Sequence, residues 1–331
     1  MLLSSPLVQL GGLVAAALAY AFINGYNDSS IILAGGIASR SIPRRRAKLL
    51  GAVVAFFGPL LFGLAIASTV GRGLVNPEAI GPNVLFAASL SVVGWVLTSN
   101  LLAIPASSTH ALVGSLVGAA LVSAGPQAVN LWGVLRVFAF LLLAPVVGLL
   151  LSALLMRLTL SLARDSGPGI NRFFRIASIF NTLALGMGHS SNDAQKSMGL
   201  IALALVALGL QPGFGVPLWA VLSCAGAFSL GILAGGHRSL RTLSSLYRIR
   251  PVNGFVAALS GAAVLIAGTE LGAPLSTGQS VSMAIAGAGA AERMNKVRWH
   301  IVNQLMLAWL VTMPGTALLG GGLTFAFRLA S

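Results

Sequence analysis

Charge is scarce in this chain. Only 8% of its 331 residues are Asp, Glu, Lys or Arg, against roughly 25% in an ordinary soluble domain, so water is not its only solvent. Hydrophobic residues make up 56% and fall in long continuous runs, which reads as a polytopic α-helical membrane protein. A β-barrel would alternate apolar and polar residues in short pieces instead. There is one cysteine, Cys224, which excludes an intrachain disulfide, a CxxC redox motif and a cysteine-rich metal site. No Lys or Arg precedes Arg40, so the first apolar stretch lacks a signal-peptide n-region and is expected to remain in the mature protein. No GxxxxGK[ST] occurs. ATP-driven transport by this chain alone is therefore excluded, and no cofactor is expected.

Acid is the rarest resource, with six Asp and Glu against 20 Lys and Arg. A net charge of +14 in a soluble protein would suggest nucleic acid. Here the basic residues sit in short clusters between apolar runs, the positive-inside pattern, and nucleic acid is not an expected partner. Asp165 and Glu292 lie among basic residues, and Glu78 follows Pro77 in a connection. Asp28 and Asp193 lie inside apolar runs. A carboxylate at membrane depth is costly unless paired or solvated, so these two are functional candidates.

The plan of the chain occurs twice. Segments are expected at 6–39, 47–70, a pair at 84–124, and 131–156, then at 176–209, 217–236, a pair at 251–291, and 299–325. The first segment of each set is expected to break, at Asn24-Gly25-Tyr26-Asn27-Asp28 and at His189-Ser190-Ser191-Asn192-Asp193. Asn27-Asp28 recurs as Asn192-Asp193, 165 positions later, and Pro105 with its Ser/Thr run recurs as Pro274 with Ser276-Thr277, 169 positions later. Two nearly equal offsets in the same order indicate an internal duplication. The predicted units are residues 1–160, a cytoplasmic linker 161–175, and residues 176–331.

Basic clusters at 40–48, 157–175, 238–250 and 293–298 predict cytoplasmic connections, whereas 71–83, 125–130 and 210–217 carry only Arg72 and are predicted external. The halves are then inverted. Parity closes only if each Pro-Ser/Thr pair is a hairpin returning to the side it entered from. The predicted fold class is an all-α polytopic membrane protein with two inverted repeats. Each has three spanning segments, the first broken, plus a helical hairpin with a Pro-Ser/Thr tip. Such repeats are the architecture of secondary transporters.

At the first tip, Pro105 precedes Ser107, Ser108 and Thr109; at the second, Pro274 precedes Ser276 and Thr277. Proline ends an incoming helix, and Ser/Thr cap the outgoing one. A helix N-terminus offers free N–H groups and partial positive charge to a tetrahedral oxyanion. Gln195 joins these five as a candidate anion ligand. Asn27, Asp28, Asn192 and Asp193 offer hard oxygen ligands that suit Na⁺ or a proton. Lys196 either pairs with an aspartate, faces the anion or snorkels to an interface. His110 and His189 adjoin the motifs, either as proton relays or as packing histidines. No metal beyond the coupling cation is expected. Two other readings stand beside anion import: a sulfate or other oxyanion permease, and an intramembrane hydrolase using Ser107 or Ser108 with His110.

At these residues the chain resembles the PiT family of inorganic phosphate transporters. The most specific stretch, Gly188 to Gly199, reads GHSSNDAQKSMG and is similar to that family's HGANDAQK-type motif. Pro105 to Gly114, PASSTHALVG, is similar to its Pro-Ser-Ser/Thr-Thr-His-Ala motif. Weaker matches are Gly235-Gly236, Arg241-Thr242-Leu243, Pro251 to Phe255, Trp309, Thr312 and Pro314. The resemblance implies phosphate import with Na⁺ or H⁺ coupling, inverted repeats, a homodimer and a place in the plasma membrane. The chain departs from the pattern at Ile31, where an Asn is usual, at Ser190 in place of Gly, and at Gly278-Gln279 in place of Thr-His.

Overall fold

The computed structural model describes residues 5–38, 42–102, 104, 106–167, 169–235 and 250–330. Pro105, Arg40, Gly236, Arg238, Arg241 to Leu243 and Arg248 lie outside the described residues. The described residues form eleven α-helices: α1 (Pro6–Ala38), α2 (Arg44–Leu61), α3 (Ala65–Ser68), α4 (Pro82–Leu101), α5 (Ser108–Ala124), α6 (Leu131–Leu162), α7 (Ile170–Ala207), α8 (Leu218–Ala234), α9 (Pro251–Glu270), α10 (Thr277–Arg293) and α11 (Trp299–Ala330). Five of them (α1, α4, α6, α9 and α11) are long and apolar enough to cross a membrane. A sixth span forms if α2 is joined to the stretch Ala65–Gly73, from which it is bent by 68°.

The break expected in the first segment of each half is absent. α1 runs through Asn24–Asp28 over 33 residues, and α7 runs through His189–Asp193 over 38. Neither contains proline beyond the first residue of α1, Pro6. The polar side chains turn back on the helix instead of competing with it: Ser190 and Ser191 Oγ both donate to Met187 O, and Ser29 Oγ donates to Tyr26 O. At 1.5 Å per residue these helices are about 50 and 57 Å long, well beyond the roughly 30 Å hydrocarbon core.

The hairpins form as anticipated, α4–α5 and α9–α10. Glu292 at the end of α10 meets Arg250 and Asn253 at the start of α9, so that hairpin returns to its own side. The start of α7 meets the start of α9 at this end. Ser178 and Asn181 of α7 donate to Pro251 O and Phe255 O, and the Phe173 and Phe174 rings meet the Phe255 ring. The nearly uncharged connections gather elsewhere. Val75 pairs with Val129 in an antiparallel bridge, and Arg72 lies over the Phe214 ring.

The halves exchange helices. α1 packs on α8 and α7 on α2; α11 packs on α5 and α6 on α10. Glycine makes these seams tight. A Cβ on Gly118 of α5 would lie 2.0 Å from Ala317 O of α11, and one on Gly287 of α10 would lie 2.1 Å from Leu149 O of α6. Close backbone approach through small residues is how membrane helices associate when lipid gives no hydrophobic drive. The last helix of each half carries an internal proline at a matching position, Pro145 and Pro314.

Candidate functional site

The two hairpin tips meet inside the bundle. Ser107 stands at the N-cap of α5 and Ser276 at that of α10, and Ser107 Oγ donates to Ser276 Oγ at 2.9 Å. One turn on, Gln279 Nε2 lies 3.4 Å from His110 Nδ1. Both contacts join residues 169 positions apart, the offset at which the tip motifs repeat. Each contact therefore links two residues that the sequence offset pairs.

The long helices hold the tips. From α1, the Tyr20 hydroxyl donates to Ser108 O at 3.0 Å. From α7, Asn192 clasps the second tip: its Nδ2 donates to Ala273 O at 3.0 Å and its Oδ1 accepts from Leu275 N at 3.0 Å. Asn192 was expected beside a cation; its amide is committed to the tip backbone. Asn27 is half-buried on α1, and its carbonyl accepts from Ser30 Oγ.

A buried charge cluster lies against the tips. His189 Nε2 is 2.9 Å from Asp193 Oδ2 and 3.2 Å from Asp28 Oδ2, so the two aspartates share one neighbourhood instead of forming separate sites. One ligand atom from each of the three falls within 4.8 Å of the others. Asp193 also pairs with Lys196 and accepts from Thr277 Oγ1 at 3.3 Å. Lys196 is fully buried and does not snorkel. Its Nζ also donates to Thr109 Oγ1 at 2.6 Å and to Leu275 O at 2.8 Å, while Thr109 Oγ1 donates to Leu275 O at 2.8 Å. Thr109 and Thr277 thus join the buried Lys196–Asp193 cluster, Ser107 and Ser276 are buried against each other, and the half-buried Ser108 is held through its carbonyl by Tyr20.

Gln195 is the exception among the anion candidates. Its Oε1 faces away from the tips and accepts the N–H groups of Ile66 and Ala67, at 3.0 and 3.3 Å. Those donors open the first turn of α3 and have no carbonyl partner within their own helix. Adjacent helical residues point about 100° apart, so Gln195 and Lys196 cannot both face the tips.

The phosphate transporter family matches this chain over residues 24–167 and 161–320. The chain belongs to that family. A probable low-affinity inorganic phosphate transporter of Rhizobium meliloti is 36% identical over 325 residues, covering 97% of either chain. One of Bacillus subtilis is 34% identical over 313 residues, covering 93% of this chain and 94% of that protein. A solved structure of a sodium-dependent phosphate transporter, 20% identical, superposes with a TM-score of 0.90 over 98% of this chain and all of the other. The protein is thus a multi-pass membrane transporter, not an enzyme, and the hydrolase reading of Ser107, Ser108 and His110 is set aside.

Three residues of this phosphate transporter family member escaped the sequence reading as contributors. Tyr20 carries the only α1 hydroxyl bound to a tip among the described hydrogen bonds. Asn24, one helical turn on, is buried beside that hydroxyl. It stands 165 positions before His189, so the duplication offset could have flagged it. Gln279 registered only as a departure, yet it meets His110.

Proposed function

We propose that this chain imports inorganic phosphate across the plasma membrane by cation symport, binding the anion between its two hairpin tips. The observation that carries this reading is the convergence of the α5 and α10 N-termini, capped by Ser107 and Ser276 and hydrogen-bonded at 2.9 Å. Two helix N-termini aimed at one place supply N–H donors and positive potential for an oxyanion. The Ser107–Ser276 bond is what a phosphate replaces on entry: each hydroxyl exchanges a serine partner for a phosphate oxygen. Phosphate is preferred to sulfate because it keeps a proton to donate near neutrality, and Asp193 at the second tip is an acceptor for it.

The inverted arrangement of the halves is part of this proposal. Contacts between counterparts, Ser107 with Ser276 and His110 with Gln279, suit a pseudo-twofold axis passing between the tips. The cytoplasmic side is assigned to the basic connections by the positive-inside rule. Alternating access then works on a fixed central site.

Coupling is assigned to Na⁺ held beside Asp28. Proton coupling is the second reading, favoured by His189 Nε2 standing between two carboxylates. The test is labelled-phosphate uptake into proteoliposomes under a Na⁺ gradient at constant pH, then under a pH gradient without Na⁺. Na⁺-driven accumulation that sulfate does not compete away supports the reading. Uptake of sulfate with none of phosphate, or accumulation under neither gradient, would overturn it.

A further inference from the structure

Nζ of Lys196 occupies a position that would suit a small metal cation. An ammonium has three donors and no acceptor, and all three are spent on oxygen: the Asp193 carboxylate, Thr109 Oγ1 and Leu275 O. A carboxylate, a hydroxyl and a backbone carbonyl from three separate segments are the hard ligand set that binds alkali cations. The ammonium keeps no N–H for an anion.

The duplication shows what stands at the corresponding place in the other half. Lys196 follows Asp193 by three residues, as Ile31 follows Asp28. Thr109, on the tip offset of 169, corresponds to Gly278. The structure puts these two counterparts together as well: a Cβ on Gly278 would meet Ile31 Cδ1 at 3.5 Å. One position thus holds a lysine on a threonine, and its mirror an isoleucine on a glycine. The first is filled by a tethered charge; the second keeps the Asp28 carboxylate but has neither the ammonium nor the threonine hydroxyl.

From this pairing we propose that the Lys196 ammonium permanently replaces one of two symmetry-related coupling cations, leaving the Asp28 side as the place for a mobile one. The inference rests on the cation-symport reading above. A tethered charge attracts the anion, but it does not travel. It therefore helps binding while drawing nothing from an ion gradient, and the chain carries one coupling cation per phosphate instead of two.

The experiment measures equilibrium phosphate binding by purified protein in choline, Na⁺, Li⁺ and methylammonium, and the Na⁺ order of uptake in proteoliposomes. Lys196→Ala should lose at least tenfold in phosphate affinity in choline and regain most of it in Na⁺ or methylammonium. Its Na⁺ order should rise from about one to about two. Lys196→Met, which fills the space without charge, should not be rescued. Should either variant fail to fold, the double variant Ile31→Asn/Gly278→Thr reads the same idea from the other side: it supplies oxygens beside Asp28 and should lower the half-saturating Na⁺ concentration of uptake at least threefold without raising the Na⁺ order. Identical cation responses in Lys196→Ala and Lys196→Met, or an unchanged half-saturating Na⁺ concentration in the double variant, would overturn the proposal. Wild-type uptake indifferent to every cation gradient defeats the symport reading instead, while the binding arm still reports on Lys196.

Discussion

Asp193 is the residue on which most of the buried polar network depends. It touches His189, Lys196 and Thr277, so Asp193→Asn leaves an ammonium without its counter-charge. Breaking a buried pair by removing one partner costs about 3–5 kcal/mol. Thermal unfolding in detergent should show that loss, whereas Asp28→Asn, at a side chain 17% exposed, should cost far less. Equal shifts would mean that Lys196 does not depend on Asp193. Gln195→Met should behave in the opposite way from a tip variant. It abandons two buried N–H groups of α3 and destabilises by about 1–3 kcal/mol, yet leaves phosphate affinity within twofold. Ser107→Ala and Ser276→Ala should each weaken phosphate binding about 10- to 100-fold, the effect of a hydrogen bond to a charged ligand. Isothermal titration separates the two classes. The sequence made Asp28, Asp193 and the tip hydroxyls legible because acid and Pro-Ser/Thr are rare in apolar runs. It could not show their partners, because Lys196 and Thr109 are 87 positions apart and composition carries no information on such pairings.

For the helices, the polar runs misled. Asn, Asp and Ser in an apolar segment resemble a break, since these residues compete for backbone hydrogen bonds in isolation. In α7 the run His189–Asp193 is buried; its serines bond the helix's own Met187 carbonyl and Asn192 and Asp193 bond the second tip, so the helix has no reason to open. The hairpins were readable because proline and a capping hydroxyl mark a helix start by local chemistry alone. The glycine seams offer a test at this level. Gly118→Leu forces a side chain into the Ala317 carbonyl and should lower stability by at least the 1–3 kcal/mol typical of overpacking. Gly322 of the same α5–α11 region has nothing within 4 Å of a Cβ. Gly322→Ala should be neutral or gain up to about 1 kcal/mol of helix propensity. Melting temperatures that fall equally in both would rule out the seam as the cause.

At the level of the whole molecule, the orientation rests on the distribution of charge along the sequence. Accessibility labelling of single cysteines in a Cys224→Ser background should find position 45 reactive from the cytoplasm and position 127 from outside. Reactivity of position 45 from outside would reverse the orientation. The exchange of helices between halves also bears on how the protein is made. At about 5–20 residues per second, α8 leaves the ribosome on the order of 10–40 s after α1, and until then α1 has only neighbours that are not its main partner. The nascent first half must wait in the bilayer with a glycine-lined face open, at the mercy of quality control. Synthesised alone, residues 1–160 should be degraded; supplied together with 161–331, both pieces should persist and carry phosphate.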